Sequence, residues 1–199
     1  MVINKCILES AGAEIEHYNA AEPIFLENDV PKYYYQIVDG KIKLNNYNCE
    51  RKEVLHDILG KGQSVGESAL FLEGTTYPIN AIAVGPCTIL KLPRSVFISL
   101  LLSCPDINME INRRISSFLH FKHIIGQIVC THNPMVKLKA LLDYLKSVQN
   151  YKEPFSFQVP FTRQEMANLT GLCVETTIRT VKTMERKKIL KIRDRKILY

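Results

Sequence analysis

The sequence predicts an α+β protein in three parts: an N-terminal antiparallel β-roll, one long helix, and a C-terminal pair of helices closed by a hairpin. Three patterns carry that expectation. Short apolar runs separated by turn signals fill Pro23 to Leu92, the rhythm of a jelly-roll barrel rather than of helices. From Ile107 to Cys130 no proline interrupts the chain, and apolar residues recur at alternating spacings of four and three, as one long helix requires. Beyond Phe161 a capping pair, a glycine and an amphipathic stretch follow one another closely. The boundaries so drawn are residues 1–106, 107–131 and 132–199.

In the first part the runs PIFLEND, YYYQIVDG, KIKLNNYN, EVLHDILGKG, SVGES, YPINAIAVG and CTILKLP have strand length and are punctuated by Gly, Asn, Asp and Pro. Asp39-Gly40 supplies positive φ for a tight two-residue turn, so the strands on either side are expected to pair as a hairpin. At Pro93 the rhythm changes, and RSVFISLLL reads as a short helix that stops before Cys104, Pro105 and Asp106. The long helix then carries Ile111, Ile115, Phe118, Lys122, Ile125 and Val129 on one stripe. Such a stripe serves either the helix's own barrel or a coiled-coil seam with a second copy, and the seam is favoured because the run reaches 24 residues. Lys122 is its weak point. Asn133 and Pro134 end the helix, VKLKALLDYLKSV resumes a helical period, and NYKEPFSFQVP is a polar, aromatic loop.

At 199 residues, 46% hydrophobic and 23% charged, the chain can bury a sizeable core. Its net charge of +6 is uneven: residues 132–199 hold 14 basic against 6 acidic residues, and the remainder is net acidic. A basic C-terminal third favours a polyanionic partner. Cys6, Cys49, Cys87, Cys104, Cys130 and Cys173 are scattered, without a C-x-x-C or a histidine at zinc spacing, which suits a reducing cytoplasm and predicts no metal site. MVINKCILESAGAEIEHY reads as neither secretion signal nor anchor, and Val96 to Leu102 is too short to span a bilayer, so no membrane partner is expected. A metal-dependent jelly-roll enzyme of the cupin kind needs clustered His and Glu ligands, whereas His56 is the only histidine between Pro23 and Leu92. The expectation is therefore a protein that is not an enzyme.

Thr162 followed by Glu165 is a capping box, so a helix starts at Arg163. Thr170 and Gly171 end it, because glycine takes the left-handed geometry of a sharp helix-to-helix turn. Together with the longer helix that follows, this is a helix-turn-helix. Advancing about 100° per residue from Glu175 sets Arg179, Lys182 and Arg186 within about 40° of it, a polar and mostly cationic face. Val174, Thr177, Val181 and Met184 fall together elsewhere, as the stripe that packs on the first helix. The Arg179 guanidinium matches guanine O6 and N7, the Glu175 carboxylate accepts from a cytosine amino group, and Ile178 at the edge suits a thymine methyl. Alone, Glu175 and Arg179 would be an i, i+4 surface pair worth about 0.2 to 0.5 kcal/mol. The hairpin KILKIRDRKILY, whose tip offers Arg193, Arg195 and Lys196 to phosphates, tips the reading toward DNA.

With these residues in view, the chain resembles the family of the bacterial catabolite activator protein and the fumarate and nitrate reduction regulator over nearly its whole length. TRQEMANLTGLCVETTIRTVK is similar to the family's T-R-x-E-(I/M)-A…E-T-x-x-R signature, while DGKIKL, GQSVGESALFLEG and CPDI match more weakly. The resemblance implies a cyclic-nucleotide-binding-like jelly roll that senses an effector, a dimer helix and a winged helix-turn-helix. Its partners would be double-stranded DNA, a second copy and RNA polymerase. Arg163 and Gln164 would touch phosphate, and Glu175 and Arg179 would read a TGA-type core in each palindromic half-site. The DNA-facing set is then Thr162, Arg163, Gln164, Glu175, Thr176, Ile178, Arg179, Lys182, Arg193, Arg195 and Lys196. A module acting through protein association is the alternative output.

Departures from the family pattern matter. Val174 precedes Glu175, as in the fumarate and nitrate regulator branch, and Cys173 stands where a hydroxyl residue usually caps the reading helix. Members that bind cyclic nucleotide hold its phosphate with an arginine shortly after a Gly-Glu pair. Gly66 and Glu67 are present, yet no basic residue lies between Lys61 and Lys91, and Tyr77 or Pro78 takes the arginine's place. No cofactor is therefore expected, cyclic nucleotide included, because a buried phosphate would lack its bidentate partner. Gly66 and Glu67 read as a turn and a surface or structural carboxylate, and with Tyr77 they outline an effector pocket of unknown ligand. The four-cysteine arrangement of an iron–sulfur sensor is missing, and His120 and His123 read as solvent-facing.

Overall fold

The computed structural model describes residues 2–51, 53–149 and 153–199, and the chain divides into two compact units between Phe118 and Leu119. The first unit begins with helix α1 (Lys5–Ser10), whose N-cap Asn4 accepts a hydrogen bond from the Cys6 amide. Strands β1 (Glu14–Tyr18), β2 (Pro23–Phe25), β3 (Tyr33–Asp39), β4 (Lys41–Tyr47), β5 (Glu53–Gly60), β6 (Ser64–Val65), β7 (Asn80–Ala83) and β8 (Cys87–Pro93) follow. They form two antiparallel four-stranded sheets, ordered β1-β8-β3-β6 and β2-β7-β4-β5. Tyr35, Ile37, Val65 and Ile89 of one sheet and Phe25, Ile42, Leu44 and Leu59 of the other share one core. A second core lies on the opposite side of the first sheet, where Tyr34, Leu90 and Leu92 pack with Ile3, Leu8, Phe97, Leu101 and Ile111.

β3 is thus buried on both faces, which is why YYYQIV runs almost continuously apolar instead of alternating. Gln36, the polar exception, is fully buried. It accepts from the Ile3 amide at 2.9 Å and donates to the Ile3 carbonyl at 2.8 Å, so the N-terminal segment satisfies it.

Asp39-Gly40 does not close a hairpin. β3 pairs with β8 and β6, whereas β4 pairs with β5 and β7, so the dipeptide carries the chain from one sheet to the other. The positive φ that the sequence promised is there, at +94° for Gly40, and a Cβ would come within 2.6 Å of the Cys87 sulfur. A barrel corner and a hairpin need the same left-handed residue, and the two-sided burial of β3 decides between them.

Helix α2 (Arg94–Ser103) ends before Cys104, and α3 (Pro105–Cys130) starts two residues earlier than the expected Ile107 and belongs in part to each unit. Its apolar stripe differs in use from the expected dimer seam. Ile111 is fully buried in the first unit's second core, with half-buried Ile115 beside it. Phe118 and Lys122 are half-buried, Ile125 packs on the second unit's core, and only Val129 of the six is exposed. Ile111 thus serves the first unit's own core, with Ile115 and Ile125 packed beside the cores of the two units. Exposed residues instead recur at Asn112, Ser116, Leu119, His123, Gly126 and Cys130, again at spacings of four and three.

In the second unit α4 (Pro134–Ser147) is capped by Asn133, which accepts from the Met135 amide at 2.9 Å. Leu138, Leu141 and Leu142 of α4 pack with Phe121, Ile128, Met166, Leu169, Val181, Met184, Leu190 and Ile197. Lys137 is buried among them and donates from Nζ to the Val129 and Thr170 carbonyls, 3.0 Å each. The expected loop NYKEPFSFQVP includes residues 150–152, which lie outside the described residues. Among the described residues no helix is long and apolar enough to cross a membrane.

Candidate nucleic-acid interface

Helix α5 (Arg163–Thr170) starts at the capping box that the sequence predicts. Thr162 Oγ1 accepts from the Glu165 amide at 3.2 Å, and Glu165 Oε2 accepts from the Thr162 amide at 2.6 Å. Gly171 follows at φ +65°, and the Leu172 amide returns to the Ala167 carbonyl at 3.0 Å. Helix α6 (Val174–Arg186) then buries Thr177, Thr180, Val181 and Met184 against this frame. Val174 is only half-buried, while Thr180 joins the buried stripe and bonds back to the Thr176 carbonyl at 2.7 Å. Cys173 makes no side-chain cap to the backbone and meets Thr176 Oγ1 at 2.9 Å instead.

The other side of α6 is open. Glu175, Ile178, Arg179, Lys182 and Arg186 are exposed, and with Thr183 they line a shallow concavity of about 350 Å³. No ion pair between Glu175 and Arg179 consumes either group among the described residues. Arg186 lies where the helical wheel set it, one turn further along this face, and Thr183 lines the concavity beside it.

Strands β9 (Lys191–Arg193) and β10 (Lys196–Leu198) form the wing, with Asp194 and Arg195 both at positive φ in its tip. Phe157 and Val159 add main-chain hydrogen bonds to Tyr199 and Ile197, widening this small sheet. Arg193, Arg195 and Lys196 are exposed, as is Gln164. Arg163 is half-buried and donates to the Arg195 carbonyl at 2.6 Å. The first helix therefore holds the wing tip through the very arginine expected to touch phosphate.

A cavity of about 50 Å³ lies in the first unit, walled by Leu44, Leu59, Ile79, Ile115 and Phe118 and edged by Ser64, Gly66, Glu67, Ser68 and Arg114. Gly66 stands at φ +70° beneath the stacked rings of Phe25 and Tyr77, and a Cβ there would come within 2.8 Å of each. Glu67 is 7% exposed, so it is not the surface carboxylate that the sequence allowed. Tyr77 belongs elsewhere: it lines a separate groove with Lys32, Tyr33 and Tyr35, and burial pushes its hydroxyl well above the usual phenol range. Sequence spacing missed Arg114, which comes from α3, far along the chain from Gly66. A cation bordering the stripe of Ile111 and Ile115 was the available signal. Arg114 Nε is enclosed without a hydrogen-bond partner among the described residues, a situation that costs about 1 to 3 kcal/mol, while Ser64 hydrogen-bonds the Tyr34 hydroxyl.

The cyclic nucleotide-binding domain model matches residues 15–104, and the Crp-like helix-turn-helix domain model matches residues 137–199. The chain belongs to the Crp and Fnr family. The cAMP-activated global transcriptional regulator CRP of Pasteurella multocida is 25% identical over 181 residues, 86% of this chain and 82% of its own. Among solved structures, the c-di-GMP responsive global regulator CLP of Xanthomonas campestris superposes on 97% of this chain and 96% of its own with a TM-score of 0.76 at 19% identity. A CooA variant from Carboxydothermus hydrogenoformans gives a TM-score of 0.80 at 16% identity, over 98% of this chain and 85% of its own. Crp and Fnr proteins are transcription regulators rather than enzymes. As one of them, this protein is a DNA-binding regulator that couples a sensor roll to a helix-turn-helix domain.

Proposed function

We propose that the protein acts as a homodimer on a palindromic operator, setting one α6 in the major groove of each half-site to read a TGA-type core. The exposed face of α6 carries this reading: a helix that buries Thr177, Val181 and Met184 leaves Glu175, Ile178, Arg179 and Lys182 free to meet base edges. Thr162, Gln164, Thr176 and the wing cations Arg193, Arg195 and Lys196 flank that face and supply backbone contacts. Two such helices lie about 34 Å apart when each dimer spans successive grooves. The dimer forms through the exposed α3 residues that include Leu119 and Gly126. RNA polymerase is the downstream partner, and the cytoplasm is where the protein meets its DNA. The sensor roll modulates this binding. We assign it no cyclic-nucleotide effector: the stretch from Lys61 to Lys91 lacks the arginine that cyclic-nucleotide-binding relatives are expected to use for the phosphate, and Arg114 is the cation that borders the cavity instead.

Electrophoretic shift against palindromes with TGA…TCA cores tests the reading. Arg179→Ala is expected to bind them about tenfold or more weakly and to lose preference for the guanine position. Wild-type affinity in that variant would overturn the assignment.

A further inference from the structure

We propose that Arg163 is a positioning residue for DNA binding, which acts by holding the wing tip so that Arg195 and Lys196 reach the phosphates rather than by meeting a phosphate itself. The inference rests on the DNA reading above and makes the wing's share of it conditional on one hydrogen bond. The tip is a demanding turn. Arg193 pairs with Lys196 across it, and the two residues between them, Asp194 and Arg195, stand at φ +49° and +64°. A two-residue loop with both central residues left-handed favours Asn-Gly or Asp-Gly. Asp194 suits the first position, but Arg195 fills the one where glycine would remove the steric cost. The tip therefore gains from a hold outside the hairpin.

Arg163 supplies that hold. Its Nη1 donates to the Arg195 carbonyl at 2.6 Å, and among the described residues no other hydrogen bond reaches the tip from outside the hairpin. The base of the wing is secured differently, by the main-chain bonds from Phe157 and Val159 and by Glu185 Oε1, which accepts from the Ile192 amide at 3.2 Å. Two further facts set Arg163 apart from the cations assigned to DNA. It is half-buried, whereas Arg179, Arg193, Arg195 and Lys196 are exposed. It is also the first residue of α5, where the positive end of the helix dipole disfavours a cation. The carbonyl that it meets accounts for an arginine placed against that field.

The test pairs Arg163→Met, which keeps an aliphatic stem and removes donor and charge, with a change of turn. Asp194→Asn together with Arg195→Gly writes Asn-Gly into the tip, a pair that adopts this turn unaided. Wild type, Arg163→Met, the turn variant and the combination are compared in two ways: amide exchange of residues 193–196 in the free full chain, and affinity for a TGA…TCA palindrome and for a duplex lacking that core. In the natural turn, Arg163→Met is expected to speed exchange at the tip about tenfold or more and to weaken both duplexes about fivefold or more. The turn variant lacks the Arg195 cation, so the effect of Arg163→Met is read against its own background, where it is expected to shrink to within about twofold. An equal loss of affinity in the two backgrounds would mark a direct phosphate contact and overturn the proposal, as would tip exchange that Arg163→Met leaves unchanged. Exchange at Met184 and Leu190, both in the core, reports whether the fold holds in each variant. A wild type that binds the two duplexes equally would overturn the TGA reading instead, and the exchange and core-free duplex would still decide the role of Arg163.

Discussion

Glu16 shows how a single side chain ties stability to acidity. Lys91 Nζ lies 2.7 Å from one of its oxygens, and the Tyr18 hydroxyl donates to the other. Burial alone would raise its pKa, but the hydrogen bonds from Lys91 and Tyr18 and the Lys91 charge outweigh burial and hold it below the ordinary 4.5. Glu53, paired with Lys43 and Asn45, is lowered in the same way. A carboxyl depressed in the folded state contributes its full stabilisation above the unfolded value and loses it as pH falls through the folded one. The melting temperature of the wild type is thus expected to drop on acidification from about pH 5 to about pH 3 more steeply than that of the Glu16→Gln, Glu53→Gln double variant. The difference should be modest, because both pairs are partly exposed. Equal slopes in the two melts would remove these carboxyls from the account.

Among the elements, the wing is the clearest case of a part whose sequence and geometry agree. Its tip needs two residues at positive φ, supplied by Asp194 and Arg195, and its cations face outward. Arg195→Ala and Lys196→Ala are expected to weaken binding alike on matched and mismatched operators, each reducing the salt dependence by about one counterion. A change in sequence preference would instead make them base readers. The capping box at Thr162 and the left-handed Gly171 were legible for the same reason as the wing: each is fixed by residues three or four apart. Asp39-Gly40 was legible only in part, since the dipeptide specifies a backbone conformation and not which sheet receives the next strand. Helix α1 escaped notice because six residues are too few to show a period. Arg114 and Ser64 border one cavity only through the fold, and no local pattern joins them.

At the scale of the molecule, α3 carries the question of assembly. That it is one long helix was plain in the sequence, but its apolar stripe had two possible claimants, and Ile111, Ile115 and Ile125 of it pack with the cores of the chain itself. Leu119, 54% exposed on the side left over, is the residue on which a second copy would close. Leu119→Glu is expected to yield a folded monomer by sedimentation and to abolish operator binding, whereas a dimer persisting in that variant would place the interface elsewhere. Lys137 bears on what such a dimer can transmit. Because one Nζ grips the last turns of both α3 and α5, no slack joint separates the end of the long helix from the reading head. A twist arriving at that end would be handed on as a rotation of α6 rather than absorbed in a linker.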